Sequence, residues 1–559
     1  MKRRIIAVKQ SRRARIYALL LTCLLAGHSA SMAYERVIKV QKDYLRMPVS
    51  QKENRGRMTI SAPKASSRSF DIRLSENPEY WVWADVRSFR GKKVTLSFAR
   101  SEAALALITQ CDSVGDDNLY KEKNRPLLHF TPRCGWMNDP NGLVYYDGEY
   151  HLFFQHNPYE REWGNMHWGH AVSTDLIHWS EVGEALFPDE LGTMYSGSAV
   201  VDEDNTSGYG KPGHPALVAF YTADGPDREV QCMAWSLDKG RSWTKYDGNP
   251  VVDSKEKWGT RDTRDPKVFW YAPSRHWVMV LCEKDGNSIY TSPNLREWEY
   301  QSHVPGFWEC PELFELSVEN QPSEKLWVMM GASGNYMLGH FDGYTFVPVS
   351  EKQSFCFGAI YASQTYNGIP AADGRRILIG WDRVEQPEMP FKGQMSIPME
   401  LSLRKVRNGV RLFARPVKEL SSLETAKVIE ARDISLEEAS RLLDSYSRSD
   451  ALRVSITFQY SQCTSLGMDL CGQCLLDCDL NSNIVNGHFY SLCDYSSRQV
   501  SAEVYLDKTT VEVFIDDGGL SYCLERRPRE SSSEGFRFWG NHPVTISSLK
   551  VYTMHSYHE

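Results

Sequence analysis

After residue 33 the sequence has no apolar run long enough to cross a bilayer; a helical span needs about 20 consecutive apolar residues. It has no excess of basic charge: the formal net charge is −7. It also lacks a metal-binding cysteine framework. "CTSLGMDLCGQCLLDC" (Cys463, Cys471, Cys474, Cys478) holds a single Cys-x-x-Cys unit with no histidine close by, so structural thiols or a local disulfide, with Cys493 nearby, are the expectation there. No stretch carries the EF-hand spacing of calcium ligands. These absences leave a chain with no membrane span and no resident metal or cofactor. Nucleic acid and acidic polymers are disfavoured as partners, and a neutral ligand fits better.

The one marked apolar run, Ile16–Gly27, falls inside residues 1–33, which carry seven Lys/Arg and no Asp or Glu and end in Ser31-Met32-Ala33. That order of basic, apolar and small residues reads as an export signal cleaved before Tyr34. Leu-Leu-Thr-Cys23 is a poor match to a lipid-anchor site, because the apolar run continues past it. Removing the segment takes the formal charge from −7 to −14, all seven lost charges being basic. The expected destination is the periplasm, the cell surface or the medium.

What the chain has in quantity is aromatic side chains, 16 Trp and 28 Tyr among 559 residues, placed in strand-like runs. Sugar-binding surfaces use aromatic faces, and so do large β cores. Residues 34–125 alternate in the strand manner, as in "YWVWADVRSFRGKKVTLSFAR" (Tyr80–Arg100), and form a small N-terminal β domain; "DDNLYKEKNRP" (Asp116–Pro126) reads as a charged linker. From 127 to 412 a repeat appears. "AVSTDLIHW", "AWSLDKGRSW" and "YTSPNLREW" share a Ser (Ser173, Ser236, Ser292), a turn-forming Asp or Asn, then a Trp. Short strands repeating every roughly 40–60 residues are the mark of propeller blades, and the length available gives five. After "ARPVKELSSLE" (Ala414–Glu424), residues 425–559 read as a C-terminal β-sandwich. It carries one helix whose Ser435 and Glu438 are spaced for a capping box, and a hairpin turn at Asp517-Gly518. The fold class is all-β.

Three repeats begin with an acid beside a proline: Asn138-Asp139-Pro140, Arg264-Asp265-Pro266 and Glu309-Cys310-Pro311; another begins with "YSGSAVVD" (Tyr195–Asp202). Each acid alone could simply cap a turn. Because the innermost propeller strands surround one axis, matching positions converge, and crowded carboxylates shift one another's pKa values. Sugar transfer needs such a set: an ionised carboxylate at the anomeric carbon and a protonated one at the leaving oxygen. Glu309, next to Phe307, Trp308 and Cys310, is expected neutral and is assigned acid/base. Asp139, in a polar turn, is expected ionised as nucleophile. Asp265, beside Arg264, is expected ionised and to hold sugar hydroxyls in the transition state.

At this point the chain resembles glycoside hydrolase family 32, the β-fructosidases (invertases, inulinases, levanases and fructan exohydrolases), over roughly 127–559. The resemblance rests on "WMNDPNG" (Trp136–Gly142), "RDP" (Arg264–Pro266) and "ECP" (Glu309–Pro311), with "EWGNMHWGHAVSTDLIHW" (Glu162–Trp179) and "YSGS" (Tyr195–Ser198). It implies a five-bladed propeller followed by a β-sandwich. It also implies a retaining mechanism through a fructosyl-enzyme on Asp139, with the Asp139 and Glu309 carboxyl groups about 5–5.5 Å apart. Asn138, Gln155, Trp163, Tyr195, Ser196 and Arg264 would line the fructose subsite, with no metal or cofactor; Trp168 and His170 are left as structure. Sucrose-cleaving plant-type relatives often carry Asp-Tyr-Gly-Lys-x-Tyr-Ala-Ser where this chain has "CFGAIYAS" (Cys356–Ser363). Cys356 and Ala359 thus replace a charged pair expected to grip glucose, which favours a fructose polymer or oligomer over sucrose.

The leading expectation is exo-hydrolysis of levan or inulin. Its rivals are an endo-levanase or inulinase, an invertase, a fructosyltransferase, and an arabinofuranosidase or xylosidase, the last opposed by Asn-Asp-Pro-Asn-Gly. A non-catalytic glycan-binding propeller would be favoured by loss of any of the three acids, and none is lost. A surface interaction scaffold explains the repeat but not the acids.

Overall fold

The computed structural model describes residues 33–63, 67–115, 118–319, 321–490, 497–527 and 535–558. The expected export signal, Cys23 and Cys493 lie outside the described residues, Ala33 excepted. Among the described residues no helix is long and apolar enough to cross a membrane. All eleven described cysteines are free thiols, so the local disulfide allowed for Cys463–Cys478 is not formed among them.

Two compact units are present: residues up to 81 with 85–112, and residues 82–84 with 113–559. In the first, an antiparallel sheet runs in the order Tyr34–Lys39, Lys93–Phe98, Gly56–Ser61, Arg68–Ile72. Met58, Ile60, Phe70, Val94, Leu96 and Phe98 alternate inward and are buried. A short helix, Glu102–Ala106, is capped by Ser101 accepting from the Ala104 N–H. This unit closes at Asp112, not at 125, and the charged run read as a linker belongs to the larger unit. Arg125 there is buried, pairs with Glu122 at 2.6 Å and donates to the Pro132 and Arg133 carbonyls.

In the larger unit the repeat becomes a succession of antiparallel sheets. The first pairs Ser180–Leu186, His167–Ser173, Glu149–Asn157 and Gly135–Tyr146, and gains Phe391–Lys392 from far along the chain. The second runs Thr193–Asp202, Ala216–Asp224, Glu229–Ser236, Thr244–Lys245; the third runs Thr263–Tyr271, His276–Glu283, Gly286–Ser292, Glu299–Pro305. A ten-stranded sheet follows, in which Glu312–Val318 meets Met399–Val406 through one parallel pairing, Val318 with Leu403. Apolar clusters fill the gaps between successive sheets: Phe153 and Trp168 against Ala219 and Tyr221, Phe220 against Trp277 and Met279, Val280 and Ile289 against Leu313 and Met329.

The Ser…Trp motif has a local cause. Asp175 Oδ1 accepts from the Ile177 and His178 N–H groups, and Trp179 Nε1 donates to the Leu176 carbonyl at 3.0 Å. Asp238 with Trp243, and Asn294 with Trp298, repeat this pattern, the tryptophans donating to the Gly240 and Leu295 carbonyls. Leu176, Gly240 and Leu295 all have positive φ, so the turn type is shared.

Two further sheets face each other across one apolar core. Leu452–Tyr460 alternates buried and half-buried residues along its length, with Leu452, Val454, Ile456 and Phe458 packed toward Leu466, Met468, Leu476 and Phe538. The helix Leu436–Asp444 is capped by Ser435 as expected, and a hairpin turns at 516–519. Cys356–Gly358 crosses over to pair in parallel with Ser521–Cys523. His129, fully buried, ties the same regions together: Nδ1 lies 2.7 Å from Asp507 and Nε2 2.9 Å from Glu512. Burial opposes its charge, but those two carboxylates push its pKa up to about 10.

Candidate active site

The first strands of the successive sheets each break register at one level: between Met137 and Pro140, Met194 and Gly197, Arg264 and Lys267, and Tyr361 and Gln364. A bulge re-aims the side chains beside it. Asp139, Ser196, Asp265 and Tyr361 sit at these four breaks, and Asp265 itself has φ +65°. The loop ahead of Glu312–Val318 supplies Glu309 and Cys310, both also at positive φ.

These residues meet. Ser196 Oγ donates to Asp139 Oδ2 at 2.6 Å, and Asn138 Nδ2 to Oδ1 at 3.1 Å; Trp136 Nε1 fixes Asn138 at 2.9 Å. The Cys310 N–H donates to Asp265 Oδ2 at 2.9 Å, and its thiol lies 3.7 Å from Asp139 Oδ2 and 3.6 Å from Asp265 Oδ2. Glu309 accepts from Arg264 Nη1 at 2.9 Å and from the Tyr361 hydroxyl at 2.7 Å. Arg264 is itself clamped by Glu229 through Nε and Nη2. The Asp265 N–H donates to Thr222 Oγ1 at 3.0 Å.

The two aspartates do not sit in the environments expected from sequence. Burial raises the Asp139 carboxyl above the usual carboxylate range, with Ser196 and Asn138 pulling it back. Burial, then the charge of Asp139, pushes Asp265 up to about 8. Arg264 does not hold Asp265 ionised, because its guanidinium turns to Glu229, Asp262 and Glu309. Nor is Glu309 wrapped in apolar surface: Trp308 is 46% exposed, and Glu309 carries an ion pair.

Of the expected subsite residues, Asn138, Ser196 and Arg264 touch the carboxylates directly. Gln155 is buried one position back; in the amide orientation that satisfies its neighbours, Asn141 accepts from both Gln155 nitrogens at 3.0 Å. Trp163, 52% exposed, stands edge-on to Tyr195, their ring centroids 6.1 Å apart. Trp168 and His170 are buried in packing. Cys356 does not face the carboxylates. Its thiol is buried, and burial with the nearby Asp382 and Glu512 charges pushes it up to about 12. An Asp at 356 would therefore join that acidic interior, not grip a sugar, and Ala359 packs against the apolar core. Tyr361, Cys310, Glu229 and Thr222 were not foreseen. Tyr361 and Cys310 lie inside motifs; Glu229 and Thr222 have no local sequence signal.

Among the described residues, one set of His, Asp and Glu atoms lies within 4.8 Å of one another: His129, Asp382 and Glu512. It is buried in the interior, and protonated His129 already supplies the cation there. The cleft holds one deeply held carboxylate, a second that shares its burial, and a third within reach of solvent and of two hydrogen-bond donors.

The model of the glycosyl hydrolases family 32 N-terminal domain matches residues 129–416. A levanase of Bacillus subtilis is 38% identical over 489 residues, covering 78% of this chain and 72% of that protein. An extracellular exo-inulinase of Aspergillus niger is 33% identical over 507 residues, covering 76% and 94%. The crystal structure of an exo-inulinase from Aspergillus awamori superposes with a TM-score of 0.67 at 28% identity, over 78% of this chain and 99% of that one.

Proposed function

The chain belongs to glycoside hydrolase family 32 and is a glycosidase acting on fructosyl bonds, and from that premise we propose that it is an exported, retaining enzyme that removes fructose units from the ends of levan or inulin. The observation that carries the mechanism is the meeting of Asp139, Asp265 and Glu309 with their donors in one cleft. Asp139 attacks the anomeric carbon of the terminal fructosyl unit while Glu309 gives its proton to the leaving oxygen. Glu309 then takes a proton from water as that water displaces Asp139, so configuration is retained over two inversions. Asp265 holds sugar hydroxyls as positive charge builds on the ring. Arg264 and Tyr361 hold Glu309 against the leaving group, and Asn138, Gln155, Trp163, Tyr195 and Ser196 enclose the fructosyl unit.

The preference for fructan over sucrose rests on the relatives: a levanase and exo-inulinases by name. The scaffold fits a five-bladed propeller at 127–412 and a sandwich at 425–559 if the ten-stranded sheet counts as two blades joined at Val318 and Leu403. Chromatography of products from levan, inulin and sucrose tests the reading. Free fructose from the earliest times on a polymer supports exo action; a ladder of oligosaccharides means endo action; faster turnover of sucrose than of either polymer makes the enzyme an invertase.

A further inference from the structure

The innermost strands have two ends, and the carboxylates occupy only one. At the other end Tyr145, Glu203, Trp270, Tyr271, Phe314 and Asn367 come together around a cavity of about 480 Å³. Five to seven residues separate these positions from Asp139, Ser196, Asp265, Glu309 and Tyr361 on the same chain segments. At about 3.3 Å per residue that is roughly 16–23 Å, too far to be a subsite of the cleft.

We propose that this cavity is a second carbohydrate site that holds a segment of the fructan chain. Its volume lies in the range of small-ligand pockets, about 300–1,000 Å³. Its walls combine half-buried rings with polar groups, the pairing a sugar needs. An aromatic face takes the C–H face of the ring, and fixed donors and acceptors take the hydroxyls. The rings stand in two groups on the two faces of the strand Thr263–Tyr271: Trp270 is 5.0 Å from Trp277 on one, and Phe269 and Tyr271 are each 5.9 Å from Trp327 on the other. The polar groups are of mixed sign. Asn367 is locked by donating to the Ala199 and Val268 carbonyls, and Arg376 by donating to the Tyr366 carbonyl beside the Phe314 ring. Glu203 and Glu315 line the cavity together with Arg376, so the lining does not favour a phosphate or other anion. The occupant is taken to be fructan because a polymer bound in the cleft is the glycan present at highest local concentration, and a second contact on the same polymer raises retention without changing the chemistry. The choice of fructan rests on the proposed function; the existence of a sugar site does not.

The test uses the full chain silenced by Asp139→Asn, run by affinity electrophoresis through gels containing inulin, levan or dextran. Retardation by a fructan and not by dextran is expected. Trp270→Ala in the same background should weaken it about tenfold, and Glu203→Ala, which leaves the aromatic packing intact, should weaken it too. In the active chain Trp270→Ala should leave kcat/KM on sucrose or a trisaccharide unchanged and raise KM on the polymer. Unchanged retardation in both variants overturns the site, as does equal retardation by dextran. If the site fails while fructan is still hydrolysed, only this inference falls. If fructan is neither cleaved nor bound, the proposed function falls first.

Discussion

Arg264 holds two glutamates at once: Nη1 lies 2.9 Å from Glu309 Oε1, while Nε and Nη2 take the two oxygens of Glu229 at 2.8 and 2.9 Å. The side chain of Glu229 is 3% exposed. Arg264 is therefore both a positioning residue for Glu309 and the counter-ion of a buried acid.

Arg264→Gln is expected to lower stability by about 3–5 kcal/mol, the usual cost of stranding one member of a buried ion pair, and to lower kcat. Glu229→Gln in the same chain should restore most of the stability, because the buried acid at 229 is no longer left without its cation, without restoring kcat. Denaturant melts and steady-state kinetics on the single and double variants separate the two effects.

Asp265→Asn should lower kcat by about 10²–10³-fold, the loss of a preorganised group that holds the sugar hydroxyls at the reacting centre, and raise stability at neutral pH. The sign follows from the raised pKa. With a folded value of about 8 and an unfolded value of about 3.9, the folded chain binds more protons between those limits, so Asp265 costs increasing stability as pH rises from 4 to 8. The gain in Tm from the Asn variant should grow over that window and be absent at pH 4. A gain that shrinks with rising pH would contradict the burial argument.

Glu309→Gln should slow sucrose or fructan hydrolysis about 10²–10⁴-fold, the usual worth of general acid–base catalysis. It should retain turnover of an aryl β-fructofuranoside, whose leaving group needs no proton. Azide should accelerate that reaction and give a fructosyl azide of retained configuration, because an anion attacks the fructosyl-enzyme without a base. Asp139→Asn should show no such rescue. Product configuration by NMR checks both.

His129→Gln should destabilise the fold by about 3–5 kcal/mol by leaving Asp507 and Glu512 buried without their cation. In the natural chain the folded His129 pKa is raised to about 10, so its contribution is full below the unfolded value of about 6.5 and is lost as pH climbs toward 10. Thermal melts at pH 6 and pH 9.5 should show a larger gap between wild type and His129→Gln at pH 6.

The parts of the molecule legible in the sequence are those with local causes. The turns at Asp175, Asp238 and Asn294 were visible because Ser, Asx and Trp lie within eight residues. The corresponding turn at Asp342, which accepts from the Tyr344 and Thr345 N–H groups, was not, because it lacks both Ser and Trp. The capping by Ser435 was likewise local. The three acids could be found because each carries a proline-bearing motif. Tyr361, Glu229 and Thr222 could not be placed, since each reaches the cleft only through strand order across 35 to 52 residues or more. The surroundings of Asp265 and Glu309 were misjudged for a related reason: a neighbour in sequence is not a neighbour in space. Arg264 turns from Asp265 toward Glu229, and the charged run before Leu127 buries Arg125 instead of staying in solvent.

The central claim is that Asp139 becomes covalently bound to fructose. Glu309→Gln mixed with an aryl β-fructofuranoside, quenched in acid within its first turnover and digested for peptide mass spectrometry, tests it most directly. The account predicts one added fructosyl mass on the peptide carrying Asp139. A fructosyl adduct on the peptide carrying Asp265, or release of inverted product with no adduct, would contradict it.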